Sequence, residues 1–345
     1  MKRSTICFLL AITFLLAGCR GAPFPISDHR ETPPSVFRVM TWNVHLFGAM
    51  TLGFGGVVVA DNRRARLLGE LLGDLRRQGL DVVALQEVWD DRYAEWLQKE
   101  SGYPYSFYGN ARDLRPNAPN SILGSGLLIL SAWPLEQTKQ FAYPALPGVD
   151  ALTSKGFLLC EVQKEGTPIT LVTTHFHTSG GSGTDARRRE HLAMINRAIE
   201  QGPGEDTGSL SIIAGDFNTA RESPSDYETM MGILQGRTEP LIDAALMARD
   251  PTSDEGPTAV SWNTLRRYVG GTKNSTIDHI FLRRHAGAPT LRPVESRVHR
   301  FLLPDGDLPL ARYHDKAWGQ TDVIDLSDHL AVEVTFTSPR RAPTL

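Results

Sequence analysis

Carboxylate, amide and imidazole side chains recur in or at the ends of the short apolar segments of this sequence. They are Asn43, Glu87, His175, Asp216, Asn218, Asp278, Asp328 and His329. Carboxylate and amide oxygens without cysteine ligands suit a hard cation such as Mg²⁺ or Mn²⁺. Such a cation withdraws charge from phosphoryl oxygens, and a histidine held by a carboxylate activates water. The residue types therefore indicate metal-assisted hydrolysis of a phosphoester.

Rigid strands are the elements that aim such side chains best, because loops hold them less firmly. Apolar runs predict strands at 36–42, 81–86, 125–131, 155–162, 169–174, 210–216, 276–282 and 329–336. Apolar faces at helical spacing predict four helices, around 67–75, 93–97, 192–199 and 227–234, the first with Asp61 as its N-cap. Strands without regular helical crossovers favour an α+β fold, a two-sheet β-sandwich flanked by helices, over a doubly wound sheet.

Composition fits a packed globular protein. The chain has 345 residues, is 41% hydrophobic, and carries 36 Lys and Arg against 39 Asp and Glu, a formal charge of -3. A duplex-cutting nuclease needs a broad basic stripe, so this balance makes a nucleic-acid substrate less favoured without excluding it. The basic run 187–189 is interpreted as a solvated helix face, and Cys160 as a buried structural thiol. Residues 36–338 contain no linker-like stretch and are expected to form one domain, acting as a monomer.

The N-terminus predicts export. Lys2 and Arg3 precede a mostly apolar run at 6–16, and eleven residues are too few to span a bilayer. The following tetrad Leu16-Ala17-Gly18-Cys19 resembles the lipobox of bacterial lipoproteins. That resemblance implies a signal peptide at 1–18, acylation of Cys19, a tether at 19–35 and an anchor at the outer membrane or cell surface. The alternative is a plain secretory signal with an incidental cysteine.

Six short motifs appear in the order seen in the endonuclease/exonuclease/phosphatase superfamily. They are Thr41-Trp42-Asn43-Val44, Leu85-Gln86-Glu87-Val88-Trp89, Thr174-His175, Gly215-Asp216-Phe217-Asn218, Ile277-Asp278-His279-Ile280 and Ser327-Asp328-His329. The sequence thus resembles this superfamily over residues 36–336, which implies the deoxyribonuclease I-like form of the two-sheet fold.

Flanking segments resemble the neutral and bacterial sphingomyelinase branch. They are 124–131 with Pro134, Asp150 followed by Lys155-Gly156, and the stretch from Asp243-Ala244 through Gly256-Pro257-Thr258 to Asn263. The resemblance implies hydrolysis of a phospholipid such as sphingomyelin to ceramide and phosphocholine at a membrane surface. A fold alone does not decide a substrate. An endonuclease cutting DNA or RNA and a phosphatase of small phosphoesters stay open, and an inactive binding protein is disfavoured because every catalytic position is filled.

The same resemblance implies how metal and water are held. Glu87 is the principal metal ligand, with Asn43 and Asp328 close to the same ion or its waters. Asp216 and Asn218 orient the attacking water and a phosphoryl oxygen.

Proton transfer is implied at the histidines. His329 takes the proton of the water, Asp278 fixes its imidazole, and His175 donates to the phosphate oxygens. Lys155 either pairs with Asp150 to position a catalytic loop or is a solvated surface charge.

Three further features have open interpretations. His279 is expected to point to the opposite face of its strand and to be structural. His177 faces either substrate or solvent. The uncharged segment 46–60 either dips into the bilayer interface or folds over the sheet edge.

Overall fold

The computed structural model describes residues 36–48, 57–111, 121–144, 146, 148–177, 184–202, 210–236, 240–250, 256–284 and 291–338. The predicted signal peptide, Cys19 and the tether lie outside these residues, as does 49–56, the centre of the uncharged segment. Among the described helices, none has both the length and the apolar character that a membrane span requires.

The described part of the chain contains fourteen strands and six α-helices. The strands are β1 (Val36–Leu46), β2 (Val82–Val88), β3 (Tyr105–Tyr108), β4 (Leu128–Ser131), β5 (Leu135–Ala142), β6 (Gly156–Lys164), β7 (Thr167–His175), β8 (Leu210–Asp216), β9 (Ile242–Asp243), β10 (Asp278–Arg284), β11 (Arg292–His299), β12 (Ala311–Asp315), β13 (Gly319–Val323) and β14 (Ala331–Thr337). The helices are α1 (Asp61–Arg77), α2 (Asp91–Ser101), α3 (Thr184–Glu200), α4 (Pro224–Gln235), α5 (Ala244–Met247) and α6 (Thr264–Tyr268).

Two six-stranded sheets pack face to face. Their strand orders are β11-β14-β1-β2-β4-β3 and β5-β6-β7-β8-β10-β9, and β12 and β13 form a separate hairpin. Apolar side chains from both sheets fill the space between them, including Phe37, Val39, Val82, Leu158, Leu171, Ile212, Ile280 and Val334. Helices α1 and α2 cover the outer face of the first sheet, and α3 and α4 that of the second. The predicted sandwich flanked by helices is confirmed.

The eight predicted strands are the interior strands of the two sheets, whereas the prediction missed all four edge strands and the hairpin. An interior strand is buried on both faces or nearly so. Its sequence is therefore an almost continuous apolar run. Edge strand β5 has an exposed polar stretch instead, and β3 has four residues of which none is fully buried. Such strands carry no apolar run for periodicity to detect.

The first helix begins differently from the prediction. Asp61 is its first helical residue, and Ala60, in a left-handed conformation, is the N-cap without a side-chain cap bond. The Asp61 carboxylate instead accepts hydrogen bonds from the backbone N–H groups of Gly48 and Val59, on either side of the segment 49–56. The expected N-cap role was therefore wrong, because this carboxylate binds the backbone of Gly48 and Val59 instead.

A fully buried ion pair completes this arrangement. Arg64 contacts Asp61 at 2.7 Å, and neither side chain has any solvent exposure. The remaining N–H groups of Arg64 donate to the backbone carbonyl oxygens of Val44, His45, Val59 and Leu326. One guanidinium thus ties the end of β1 to the segment that precedes Asp328.

A second buried cluster joins β11, β14 and β1 at the far edge of the same sheet. Glu333 accepts hydrogen bonds from Arg38 at 2.8 Å and contacts His299 at 2.9 Å. Burial opposes ionisation of Glu333, but these two basic partners hold the pKa of its carboxyl below the usual value. Its negative charge therefore stabilises the folded state.

Cys160 is a buried structural thiol, as expected. Cys160 lies on β6 inside the core between the sheets, and burial raises its pKa to about 12, with Glu161 adding to the shift. A thiol that stays protonated is a poor nucleophile, so its role is packing.

Candidate active site

The motif residues converge because of strand direction. β1 runs parallel to β2, and β7 parallel to β8, so their carboxyl ends reach the same edge of the sandwich. β14 runs antiparallel to β1, and β10 antiparallel to β8, so these two strands begin at that edge. Asp278 pairs directly with Asp216, and His175 is the register partner of Asp216 on the other side. The topology therefore gathers polar residues that are up to 286 positions apart, from Asn43 to His329.

A hydrogen-bonded dyad lies at the centre. His329 Nδ1 is 2.9 Å from Asp278 Oδ2, and the Thr258 hydroxyl donates to the same carboxylate oxygen at 2.5 Å. The indole N–H of Trp42 donates to the carbonyl oxygen of His329 at 3.0 Å. The opposite ring nitrogen, Nε2, is 4.0 Å from Asp216 Oδ2. Asp278 thus fixes Nδ1 of the imidazole, and Nε2 is directed toward Asp216.

The electrostatics of the dyad follow from burial among carboxylates. Burial opposes charge on His329, but Asp278, Asp328 and Asp216 overcome it and raise the pKa of the imidazole to about 10. Burial, with the neighbouring Asp278 charge, raises the pKa of Asp216 to about 7. Burial also opposes ionisation of Asp328, yet the nearby His45 and His329 charges hold its pKa below the usual value. This excess of buried negative charge is a setting into which a divalent cation fits.

Asn43 joins the two sheets. Its amide nitrogen donates to Glu87 Oε1 at 2.9 Å and to Asp216 Oδ2 at 3.1 Å, while its amide oxygen accepts the N–H of His45 at 3.1 Å. In this arrangement the amide orients two carboxylates and presents N–H groups to them. In the second sheet, Gly215 of β8 lies close to the backbone of β7. A Cβ at this position would lie 2.2 Å from the carbonyl oxygen of Thr174.

His175 faces the same acids with both ring nitrogens free of hydrogen-bond partners among the described residues. Its Nε2 is 3.8 Å from Glu87 Oε1 and 3.6 Å from Asp216 Oδ2. Burial lowers the pKa of His175 well below its usual value, and the positive charges of Lys155 and His329 add to the shift. A neutral imidazole here keeps one N–H to donate to an anionic oxygen.

Asn218 follows the end of β8 in a left-handed conformation, φ 47°. Its backbone N–H donates to Asp216 Oδ1, and its amide nitrogen donates to the carbonyl oxygen of Phe176, both at 2.9 Å. Within the described ranges, no hydrogen bond uses the second amide hydrogen or the amide oxygen, so both can meet a ligand.

Lys155 is buried and not a surface charge. Its side chain is 3% exposed, and Nζ lies 3.0 Å from Asp150 Oδ1. The solvated alternative was therefore wrong, and the pair with Asp150 is present. His177 is also buried, so it does not face solvent, and burial lowers its pKa to about 4. His279 points away from the site and contacts the carbonyl oxygen of Thr219 at 2.9 Å, as expected of a structural residue.

Orphaned polar atoms mark where a cation fits. Glu87 Oε2 and Asp328 Oδ1 are buried and have no hydrogen-bond partner among the described residues. His45 Nδ1 lies 3.6 Å from Glu87 Oε2 and 3.5 Å from Asp328 Oδ1. Asp216, Asp278 and His329 also bring three potential ligand atoms within 4.8 Å of one another. There, however, Asp278 and His329 are already hydrogen-bonded to each other.

The sequence did not single out three residues that position the site. His45 lies in the site itself, and Thr258 holds Asp278. Asn263 donates from its amide nitrogen to the carbonyl oxygen of Ser327, and the Ser327 hydroxyl donates to the carbonyl oxygen of Asn43. Thr258 and Asn263 do lie in the segment that carries the sphingomyelinase resemblance, which was the available signal.

Five exposed apolar side chains, the apolar surface, lie on α6 and the residues before it, between β11 and β12, and in the turn of the hairpin. They are Trp262, Tyr268, Leu302, Leu308 and Trp318. The ring of Tyr268 packs against Tyr313 of β12, and Arg266, also on α6, reaches to 3.9 Å from Asp328. Helix α6 therefore links the apolar surface, through Tyr268, to the acidic cleft, through Arg266.

Comparison with known proteins agrees with this geometry. The family model described as Endonuclease/Exonuclease/phosphatase family matches residues 40–329. A putative neutral sphingomyelinase of Drosophila melanogaster is 26% identical over 246 residues, which cover 68% of this chain and 51% of that protein. Sphingomyelinase C of Listeria ivanovii is 24% identical over 344 residues, 96% of this chain and 94% of that protein. The chain therefore spans about half the length of the first relative and nearly all of the second.

Among solved structures, a two-site mutant of beta toxin from Staphylococcus aureus with bound magnesium ions has a similar fold. Its TM-score is 0.66 at 18% identity, and the match covers 87% of this chain and 99% of that chain. The shared fold is the deoxyribonuclease I-like sandwich that the motifs implied. In this chain, the buried carboxylates of the acidic cleft support a divalent metal.

Proposed function

Because the chain belongs to the endonuclease/exonuclease/phosphatase family, we propose that it is a metal-dependent phosphodiesterase that hydrolyses sphingomyelin or a closely related phospholipid. The observation that supports phosphodiesterase activity is the buried His329–Asp278 dyad, whose free ring nitrogen faces Asp216. The lipid substrate is supported by the relatives named sphingomyelinase, one of which matches along nearly its whole length.

Glu87 and Asp328 hold the divalent cation, because each presents a buried oxygen without another partner among the described residues. Asn43 fixes the carboxylate of Glu87 through its hydrogen bond to the second oxygen. When bound, the cation supplies positive charge that stabilises the phosphoryl oxygens. The same charge opposes the carboxylates that raise the pKa of His329, which favours the neutral imidazole. Mg²⁺ and Mn²⁺ both suit an oxygen-rich site of this kind.

His329 accepts the proton of the attacking water at Nε2, since its Nδ1 is held by Asp278. Asp216 and the free amide hydrogen of Asn218 orient that water and one phosphoryl oxygen. Neutral His175 donates to another phosphoryl oxygen as negative charge develops there. Attack on phosphorus breaks its bond to the ceramide oxygen, which takes up a proton and leaves as ceramide, and phosphocholine is the second product.

The apolar surface around the hairpin supports access to a lipid. Leu308 is 75% exposed and Trp318 45% exposed, and aromatic side chains such as Trp318 favour the membrane interface. The uncharged segment is a second candidate. Of its described parts, Leu46 is buried in the core and Phe47 packs edge-on against His45, with ring centroids 4.5 Å apart.

Cys19 anchors the exported chain to a membrane through acylation, as its Leu-Ala-Gly-Cys context supports. Two or more acyl chains give stable attachment, whereas one chain is marginal. In the native bacterium, the Cys19→Ser variant is expected to leave the membrane fraction and to lose the mass of the lipid. A variant that stays membrane-bound without added mass would contradict the anchor.

The test of function uses the full chain purified in detergent. Sphingomyelin in mixed micelles and supercoiled DNA are offered in parallel, with Mg²⁺ or with EDTA, and the His329→Ala variant is the control. We expect phosphocholine release that needs the metal and His329, without nicking of DNA. Nicking without phosphocholine release would replace the lipid with a nucleic acid. Release of inorganic phosphate from small monoesters alone would make the protein a phosphatase.

A further inference from the structure

One imidazole inside the cleft has no role in the scheme above. His45 lies on β1 two residues after Asn43, is 6% exposed, and faces both of the carboxylates assigned to the cation. Its Nδ1 is 3.6 Å from Glu87 Oε2 and 3.5 Å from Asp328 Oδ1. We propose that His45 is a nitrogen ligand of this cation. The inference rests on the proposed function for the presence of the cation and adds a ligand that the motifs do not indicate.

Unsatisfied atoms are the first support. A nitrogen–oxygen separation of 3.5 to 3.6 Å is too long for a good hydrogen bond. Both oxygens are nevertheless buried without another partner among the described residues, and so is His45 Nε2. Native structures seldom leave buried polar atoms unpaired, and atoms that look unpaired often belong to the binding site of an ion. A ligand bond at Nδ1 satisfies all three facing atoms at once and leaves the Nε2 hydrogen to donate to water or substrate.

The separations also suit a shared ion. Around a small divalent cation with bonds of about 2.1 Å, neighbouring ligand atoms lie roughly 3.0 Å apart and opposite ones roughly 4.2 Å apart. The two separations from His45 Nδ1 fall between these limits.

The backbone holds His45 in place at a conformational cost. Its φ is 50° and that of Glu87 is 59°, so both have the left-handed backbone that non-glycine residues rarely adopt. Strain of this kind clusters at functional sites, where the surrounding structure enforces it. The N–H of His45 donates to Asn43 Oδ1, its carbonyl oxygen accepts from Arg64, and its ring packs on Phe47. Each part of the residue therefore has a contact that fixes the direction of Nδ1.

A nitrogen ligand changes which metal is preferred. Imidazole favours transition-metal ions, whereas sites built from oxygen alone suit Mg²⁺. We therefore expect the protein to bind Mn²⁺ more tightly than Mg²⁺ and to lose much of that preference without His45. If the ring were instead a counter-ion that bridges the two carboxylates, a metal ion would have to displace it. Removing His45 would then strengthen metal binding and not weaken it.

The experiment is pulsed electron paramagnetic resonance on the full chain loaded with Mn²⁺. Nitrogen bonded to Mn²⁺ modulates the echo, and labelling histidine with ¹⁵N changes the modulation frequency. We expect the histidine signal in the wild type, its loss in His45→Asn and its retention in His175→Asn. Asparagine suits the test because it tolerates the left-handed backbone. The His175 control is matched, since that ring also lies within 4 Å of Glu87.

Titration of the same proteins gives the affinity. His45→Asn is expected to weaken Mn²⁺ binding by roughly 10- to 100-fold, with a smaller loss for Mg²⁺. A histidine signal that persists in His45→Asn, or vanishes in His175→Asn, overturns the inference and leaves the proposed function standing. Mn²⁺ bound without any nitrogen signal does the same. A wild type that binds neither ion refutes the metal dependence of the proposed function itself.

Folding of the variant does not limit the test. If circular dichroism shows His45→Asn to be unfolded, His175→Asn and His329→Asn are read instead. Retention of the signal in both assigns it to His45, the remaining imidazole that faces Glu87 and Asp328 among the described residues. Loss in either one assigns the nitrogen elsewhere and overturns the inference.

Discussion

Arg64→Met tests how the fold supports the site. Arg64 and Asp61 form an ion pair of 2.7 Å with no solvent exposure on either side chain, and the guanidinium also serves four backbone carbonyl oxygens. Methionine keeps much of the apolar stem but removes the charge and every donor. Removing one partner of such a pair leaves an uncompensated buried charge and costs about 3–5 kcal/mol. For a domain of about 300 residues, that loss lowers the melting temperature by roughly 5–8 °C.

Urea denaturation and thermal melting measure the loss directly, and the chain supplies a matched control. Arg63 is the neighbouring residue and pairs with Asp307, but both of these side chains are about one third exposed or more. Arg63→Met is therefore expected to change stability by about 0–1 kcal/mol. Equal losses for the two variants, or a loss below about 1 kcal/mol for Arg64→Met, would refute the reasoning.

The same substitution should reach the chemistry. Arg64 holds the carbonyl oxygens of His45 and Leu326, which flank the two sides of the candidate metal site. Measured well below the melting temperature, Arg64→Met is expected to bind Mn²⁺ more weakly and to turn over more slowly than Arg63→Met. The double variant Asp61→Asn with Arg64→Met should regain part of the stability, since the unpaired charge is gone, but none of the turnover.

His329→Ala removes the base, and Glu87→Ala removes a carboxylate that binds the metal. Each is expected to lower turnover by at least ~10²-fold while the far-UV circular dichroism stays unchanged. Rates near wild type would reject these assignments. Asp278→Asn should also slow turnover by ~10²-fold or more, since its amide cannot anchor the imidazole as an anion does, and a normal rate with a normal pH profile would argue against the dyad. Glu333 has a depressed pKa in the folded state, so its stabilisation is complete above the ordinary value of 4.5 and is lost as the pH falls through the folded pKa. The difference in unfolding free energy between wild type and Glu333→Gln should therefore shrink between pH 7 and pH 3, and a difference that grows would contradict the linkage.

Burial decided which parts of the fold were visible in the sequence. Interior strands such as β8 and β10 pack on both faces, so their segments read as apolar runs, and the sequence predicted all eight of them. Edge strands β5 and β11 each have four exposed residues out of eight and pair along one side, so no apolar run marks them. Their positions follow from backbone pairing with a neighbouring strand, which for β11 lies more than thirty residues further along the chain.

By itself, the sequence determined the layers of the fold and the chemical identity of the site. Glu87, Asp216, Asp278 and His329 stand in short contexts whose order is specific, so their residue types could be recognised without coordinates. The tertiary structure alone decided the roles of His45 and the other unmarked residues. An isolated histidine has no pattern, and its Nδ1 meets Asp328 across 283 positions of sequence only after two sheets have closed. Motifs preserve local order, whereas ligand geometry arises from long-range packing.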